Sequence, residues 1–102
     1  MKLITKEFEW LFKDFPLYSQ DWVKDPLVVA KFFVWNITWY ITEYDKESKN
    51  AFWYITGLYQ DEFWYISITE LESIKINNIW EVERDLYFTA TSLKTLLQKD
   101  SL

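Results

Sequence analysis

The sequence predicts an α+β domain: an antiparallel meander of four to five strands with two or three short helices packed mainly on one face. Three observations lead there. The first is a repeated phrase: Trp39-Tyr40-Ile41-Thr42, Trp53-Tyr54-Ile55-Thr56 and Trp64-Tyr65-Ile66-Ser67. Successive side chains of a strand point to opposite faces, so each phrase puts Trp and Ile on one face and Tyr with a hydroxyl on the other. The second is spacing: the phrases begin 14 and 11 residues apart with short polar stretches between, as hairpin-connected neighbours do. The third is a set of short amphipathic segments, each preceded by a residue able to cap a helix.

Taken in order, Thr5 caps a helix to about Lys13, with Phe8, Leu11 and Phe12 as its apolar stripe and Glu7 and Glu9 favouring its first turn. Pro16 ends it, Leu17 to Asp25 form an irregular connector, and Pro26 opens the next element. Leu27 to Val34 is rich in β-branched and aromatic residues and reads as a strand. Ile37 to Tyr44 carries the first phrase and runs into the charged loop Asp45-Lys46-Glu47-Ser48-Lys49-Asn50. Ala51 to Leu58 carries the second, and after a Gln60-Asp61-Glu62 turn the third begins near Phe63. Thr69 and Glu72 have the spacing of a capping box for a helix to about Lys75. Asn77-Asn78 makes a turn. Trp80 to Phe88 alternates as a strand, with Trp80, Val82, Arg84 and Leu86 on one face. Thr91 or Ser92 then caps a closing helix with Leu93, Leu96 and Leu97 on one side. The Trp/Ile face is the expected floor for the helices, because a buried Trp removes about 150–250 Å² from water.

Composition narrows the chemistry. At 102 residues the chain, 1–102, is expected to be one domain, with half its residues hydrophobic and 22% aromatic. It has neither cysteine nor histidine, which excludes disulfides, Cys-His nucleophile pairs and Ser-His triads. Zinc sites built on those ligands are excluded too, and no metal or other cofactor is expected. The formal charge of −5 argues against direct nucleic-acid binding, which needs a basic footprint, and fits attraction to a basic protein surface. The first residues, Met1 to Glu7, turn charged before a signal-peptide core could form, and no run has the length of a membrane span. A cytoplasmic location away from membranes is the expectation.

The phrases also fall in a wider frame. Leu3-Ile4-Thr5, Phe15-Pro16-Leu17-Tyr18, Asp25-Pro26, Lys31-Phe32-Phe33, Trp39-Tyr40, Thr42-Glu43, Ser67 with Glu70-Leu71, and Glu83-Arg84-Asp85-Leu86 with Phe88 follow one another in order. Together they resemble a family of short bacterial domains of unknown function, numbered 2958. The resemblance implies a cytoplasmic one-domain protein carried on mobile genetic elements near anti-restriction and DNA-modifying genes, with no established activity. Two positions depart from its pattern. Tyr54 stands where the family has glycine after the first aromatic pair, and Glu62-Phe63-Trp64-Tyr65 stands where it has Glu-Leu-Gly-Tyr. Side chains filling that space favour surface contact over an enclosed ligand pocket.

Two groups of residues are candidates for function. Tyr40, Tyr54 and Tyr65 occupy one place in each phrase, and strict alternation adds Tyr44 and Phe52 to their face. With Glu43, Asp45 and Glu47 as an acidic rim, this face is a candidate protein-binding surface, since Tyr and Trp are enriched where interfaces are tightest. Glu43, Glu70, Arg84 and Asp85 form the second group. Arg84 lies on the apolar side of its strand and needs a carboxylate, so the group reads as a structural ion pair.

The expected function is a small non-enzymatic protein-interaction module. In its sharpest form it is a stoichiometric inhibitor of a host defence nuclease, with an anti-CRISPR or anti-restriction role. The alternatives are a hydrolase or nucleotide-handling enzyme using Glu43, Glu70 and Asp85, and a homodimeric accessory protein joined through its Tyr face or sheet edge.

Overall fold

The computed structural model of the chain describes residues 2–58, 61–76 and 79–100, without the side chains of 76, 99 and 100. The turns expected at Gln60 and at Asn77-Asn78 therefore lie outside the described residues. Helix α1 (Lys6–Leu11) comes first, and its cap is as the sequence predicts: Thr5 Oγ1 accepts from the Phe8 N–H at 3.1 Å. Strands β1 (Leu27–Val28), β2 (Ala30–Val34), β3 (Ile37–Asp45), β4 (Asn50–Thr56) and β5 (Glu62–Ser67) follow. Then come α2 (Ile68–Ser73), β6 (Lys75–Ile76), β7 (Trp80–Glu81), β8 (Glu83–Arg84), β9 (Thr91–Ser92) and α3 (Leu93–Asp100).

The main sheet has the order β5-β4-β3-β2-β8 and is antiparallel throughout. The three phrases are adjacent strands, with Tyr40 opposite Tyr54, Tyr54 opposite Phe63 and Trp53 opposite Trp64. The expected strand over 27–34 is divided at Val29. Its first two residues leave the main sheet to pair with β9, while the Val29 N–H bonds Ile41 O. The strand expected over 80–88 is also divided, around the fully buried Val82, and Leu86 and Tyr87 form a turn.

The Trp/Ile face carries the main core. Phe32, Trp39, Ile41, Trp53 and Ile55 pack there against Leu3, Phe8 and Phe12 around α1, and against Ile68 and Leu71 of α2. Trp64 is the exception. Although its side chain points to this face, β5 is the edge strand, and Trp64 is 62% exposed. The opposite face has its own smaller core, in which Val28, Tyr40, Tyr54 and Phe88 pack with Leu93, Leu96 and Leu97 of α3. The helices therefore divide two to one between the faces.

The capping box at Thr69 does not form. Strand β5 passes directly into α2 at Ser67, and Glu72 is used elsewhere: its Oε1 accepts from the N–H groups of Leu3 at 3.0 Å and Ile4 at 3.1 Å. Helix α3 starts at Ser92, whose Oγ accepts from Thr95 N–H at 3.3 Å. Asp25 Oδ1 reaches across from the connector to accept from Lys94 N–H at 2.7 Å.

A bulge reorients the last third of β3. The register shifts between Ile41 and Glu43, so Glu43 faces Phe52 and Tyr44 faces Ala51. One extra residue inverts every following side chain. Tyr44, expected beside Tyr40, instead points into the main core and packs edge-on against Phe8 at 5.0 Å. Its hydroxyl has no hydrogen-bond partner among the described residues. Burial, reinforced by the charges of Glu9, Asp45 and Glu72, pushes the Tyr44 phenol up to about 12. The unfolded chain ionises at a lower pH than the fold does, so stability is full below pH ~10 and falls as pH rises from about 10 to 12. Tyr44→Phe is expected to leave or slightly raise the melting temperature at neutral pH, because it removes an unpaired buried hydroxyl. It should also flatten the loss between pH 10 and 12, which thermal melts across that range would measure.

Candidate protein-interaction surface

The bulge also makes the candidate surface. It turns Glu43 onto the α3 side of the sheet, where its carboxylate is buried and holds the connector between α1 and β1. Glu43 Oε1 accepts from Tyr18 N–H at 2.7 Å and Oε2 from Gln20 N–H at 2.8 Å. Hydrogen bonds to an ionised acceptor are about twice as strong as neutral ones. They hold Tyr18 at φ +74°, a left-handed conformation that a residue with a bulky side chain adopts only when its surroundings impose it. Gln20 completes the attachment. Its Nε2 donates to Leu27 O at 2.8 Å and Thr42 O at 2.9 Å, and its Oε1 accepts from Leu27 N–H at 2.7 Å.

Fixed in this way, the Tyr18 ring lies 6.3 Å from that of Tyr65, at the end of an aromatic row spanning β4 and β5. Phe52 and Tyr65 are direct cross-strand neighbours at 4.7 Å, Phe52 and Phe63 stack at 5.4 Å and 11°, and Tyr54 meets Phe63 edge-on at 4.9 Å. Beside the row lie two neighbouring hollows. One of about 550 Å³ lies between Tyr54 and Phe63 on one side and Leu93, Lys94, Leu97 and Gln98 of α3 on the other. A second of about 260 Å³ lies under the connector between Gln20, Val23 and Phe52, and both touch Lys24 and Phe63. Phe63 is 41% and Tyr65 43% exposed, and Tyr18, Trp22 and Val23 of the connector are exposed as well. Burial, followed by Tyr18, Asp21 and Glu43 nearby, raises the Tyr65 phenol above its ordinary value.

The sequence-predicted residues are distributed unevenly over this surface. Tyr54, Tyr65 and Phe52 belong to it. Tyr40 shares the face but is 1% exposed beneath α3, so it is core and not surface. Tyr44 lies on the other side because of the bulge. Glu43 supports the surface from beneath and is no rim residue. Asp45 ends β3, where Ser48 Oγ at 2.6 Å and N–H at 3.0 Å bond its carboxylate and hold it below the ordinary range. Glu47 is exposed in the adjoining turn. Tyr18, Gln20 and Phe63 are positions of this candidate surface that the sequence did not single out. Phe63 was within reach, since the alternation that selects Tyr65 places it on the same face.

The expected ion-pair group does not assemble. Arg84 bonds Glu7 of α1 at 2.7 Å and lies over the Phe8 ring at 5.4 Å, and that hydrogen bond holds the Glu7 carboxyl low. Glu70 is exposed on α2, and Asp85 accepts from the Tyr87 N–H at 3.0 Å. Among the described residues no three acidic side chains gather as a cation site would need. No helix among them is long and apolar enough to cross a membrane.

The fold and the surface together define a small α+β domain whose exposed chemistry is aromatic. The family model described as "Protein of unknown function (DUF2958)" matches residues 3–98, and the chain belongs to that family. No curated protein and no solved structure matches it.

Proposed function

We propose that the chain is a non-enzymatic protein-interaction module that binds a protein partner stoichiometrically through the row Phe52, Tyr54, Phe63 and Tyr65 and the adjoining Tyr18. The observation that carries the reading is the investment in presenting these rings. A buried carboxylate and a left-handed backbone hold Tyr18 against Tyr65, while Phe63 and Tyr65 remain open to solvent. Exposed contiguous aromatic surface is costly to leave in water and is typical of binding sites. Asp21 and Asp61 are exposed beside it, and with the net charge of −5 they favour a basic partner. The finer form of the proposal is occupation of the basic nucleic-acid groove of a host defence nuclease encountered by a mobile element. The rival carboxylate enzyme is disfavoured because Glu43 is committed to two backbone N–H groups and stands apart from Glu70 and Asp85.

The test is affinity capture from host lysate with the wild-type chain and with the Phe63→Ser/Tyr65→Ser variant, both positions being exposed enough to leave the fold intact. The expected result is a partner identified with the wild type, released by raised salt and lost with the variant. Equal recovery of that partner by the folded variant would show that the surface is misassigned.

A further inference from the structure

We propose that β5 pairs with β5 of a second copy of this chain, across a two-fold axis at Trp64, to make one continuous sheet. The inference rests on the reading of this edge as part of an interaction surface and names an occupant for its backbone rim.

The two edges of the main sheet differ. At one edge β8 contributes two residues before Leu86 and Tyr87 turn away. At the other, β5 offers six residues in regular extension, Glu-Phe-Trp-Tyr-Ile-Ser, with no lysine, proline or bulge to deter another strand. The bond from Ile68 N–H to Lys49 O sets the phase of the β4–β5 ladder. In an antiparallel ladder the inward-bonded residues alternate, so Glu62, Trp64 and Ile66 bond toward β4. The N–H and C=O groups of Phe63 and Tyr65 then point outward from the sheet.

A two-fold axis between facing Trp64 residues matches those groups. Phe63 of each copy exchanges hydrogen bonds with Tyr65 of the other, and the two Trp64 residues face each other as a non-hydrogen-bonded pair, the closer kind. Every exposed ring on the strand then meets a ring. An axis at Tyr65 would instead set Phe63 against Ser67 and Trp64 against Ile66, which wastes two of the three.

Charge also fits the arrangement. Asp61 and Glu62 lie at one end of the strand and Lys49 flanks Ser67 at the other. Antiparallel pairing turns the acidic end of each copy toward the lysine end of its partner and keeps the two Asp61 residues about 20 Å apart, six residues along a strand, and the two Glu62 residues about 13 Å apart. Phe63, Trp64 and Tyr65 are 41%, 62% and 43% exposed. With ~150–250 Å² per aromatic side chain, covering them removes roughly 600 Å² from water over both copies, before the backbone strip and the flanking rings are counted. That is below the roughly 1,200 Å² at which stable interfaces begin, so the pairing is a weak, reversible dimer.

The test uses the intact chain, which has no cysteine of its own. Light scattering after size exclusion is expected to give a mass rising with concentration from 12.6 kDa toward two chains. Trp64→Cys should form an intermolecular disulfide under mild oxidation, because facing Cα atoms of such a pair lie at about 4.5 Å. Tyr65→Cys, placed opposite Phe63, should link far more slowly. Trp64→Lys should keep the melting temperature and hold the mass at one chain. A wild-type mass fixed at one chain, or equal cross-linking at 64 and 65, overturns the pairing. A one-chain mass together with partner capture that depends on Phe63 and Tyr65 overturns the pairing and leaves the interaction module standing. A two-chain mass with the selective cross-link and no captured partner supports the pairing and removes the partner reading.

Discussion

Glu43→Gln is expected to lower the melting temperature by roughly 12–25 °C, a large effect for an isosteric change of one atom. The carboxylate accepts from two backbone N–H groups in a buried place. A carboxamide can accept only one of those bonds and turns its own donor toward the other N–H. Hydrogen bonds to charged groups contribute about 1.5–3 kcal/mol each, and a buried donor left unpaired adds its desolvation cost. A total near 3 kcal/mol follows, and a domain of this size loses about 4–8 °C per kcal/mol. A second consequence separates this role from general stability. With one of the two anchors lost, the connector no longer imposes the left-handed Tyr18, and its ring leaves Tyr65. The connector over 17–24 should then become cleavable by protease at temperatures where the rest of the fold is intact. A loss below about 4 °C, with the connector still protected, would show that Glu43 does not hold it.

Gly57→Ala is expected to be at least as severe. Gly57 has φ +90°, and a Cβ there would overlap Asn36 O and lie 2.8 Å from Asn36 C, both backbone atoms that cannot swing aside. Asn36 Nδ2 in turn donates to Gly57 O at 3.1 Å, so the β2–β3 turn and the end of β4 are bound together. The left-handed conformation alone costs about 1–2 kcal/mol for a residue with a Cβ. Relieving the overlap means displacing Trp35-Asn36, whose first residue already has φ +53°. A total of about 3–5 kcal/mol, or roughly 12–40 °C, is expected in a thermal melt. The near-ultraviolet spectrum should change as well, because Trp35 meets Trp80 edge-on at 6.1 Å. Asn36→Ala, which removes only the side-chain bond, should cost about 1 kcal/mol. If the alanine at 57 melts like wild type, the turn must differ from the structure described.

Much of the architecture was legible because it is periodic. Alternation within each phrase named Trp39, Ile41, Trp53 and Ile55 as core, and the spacing of the phrases gave the order of β3, β4 and β5. What escaped was everything aperiodic. Nothing in the letters of 37–45 marks the bulge, which contains no glycine, and with it went the placement of Tyr44 and Glu43. The exposure of Trp64 depends on its strand being last in the sheet and on where α1 and α2 come to rest, and neither is a property of the phrase. Tyr40 and Tyr65 are equivalent by pattern, yet α3 arrives over one and leaves the other open. The role of Gln20 has no signature at all, because a buried amide bonding three backbone groups looks in sequence like any loop glutamine.

The unequal edges of the main sheet have a consequence for growth. In the language of polymer chemistry, a sheet with two open edges is bifunctional and adds units without limit, as fibrils do. Here β8 is two residues long, and among the described residues the main sheet has one long open edge. When the strand that β5 accepts is β5 of a second copy, the product ends in the two-residue β8 on both sides and presents no further long edge of this kind. Association by that pairing would be self-terminating, and an exposed aromatic strand that would otherwise seed aggregation could be kept available for binding.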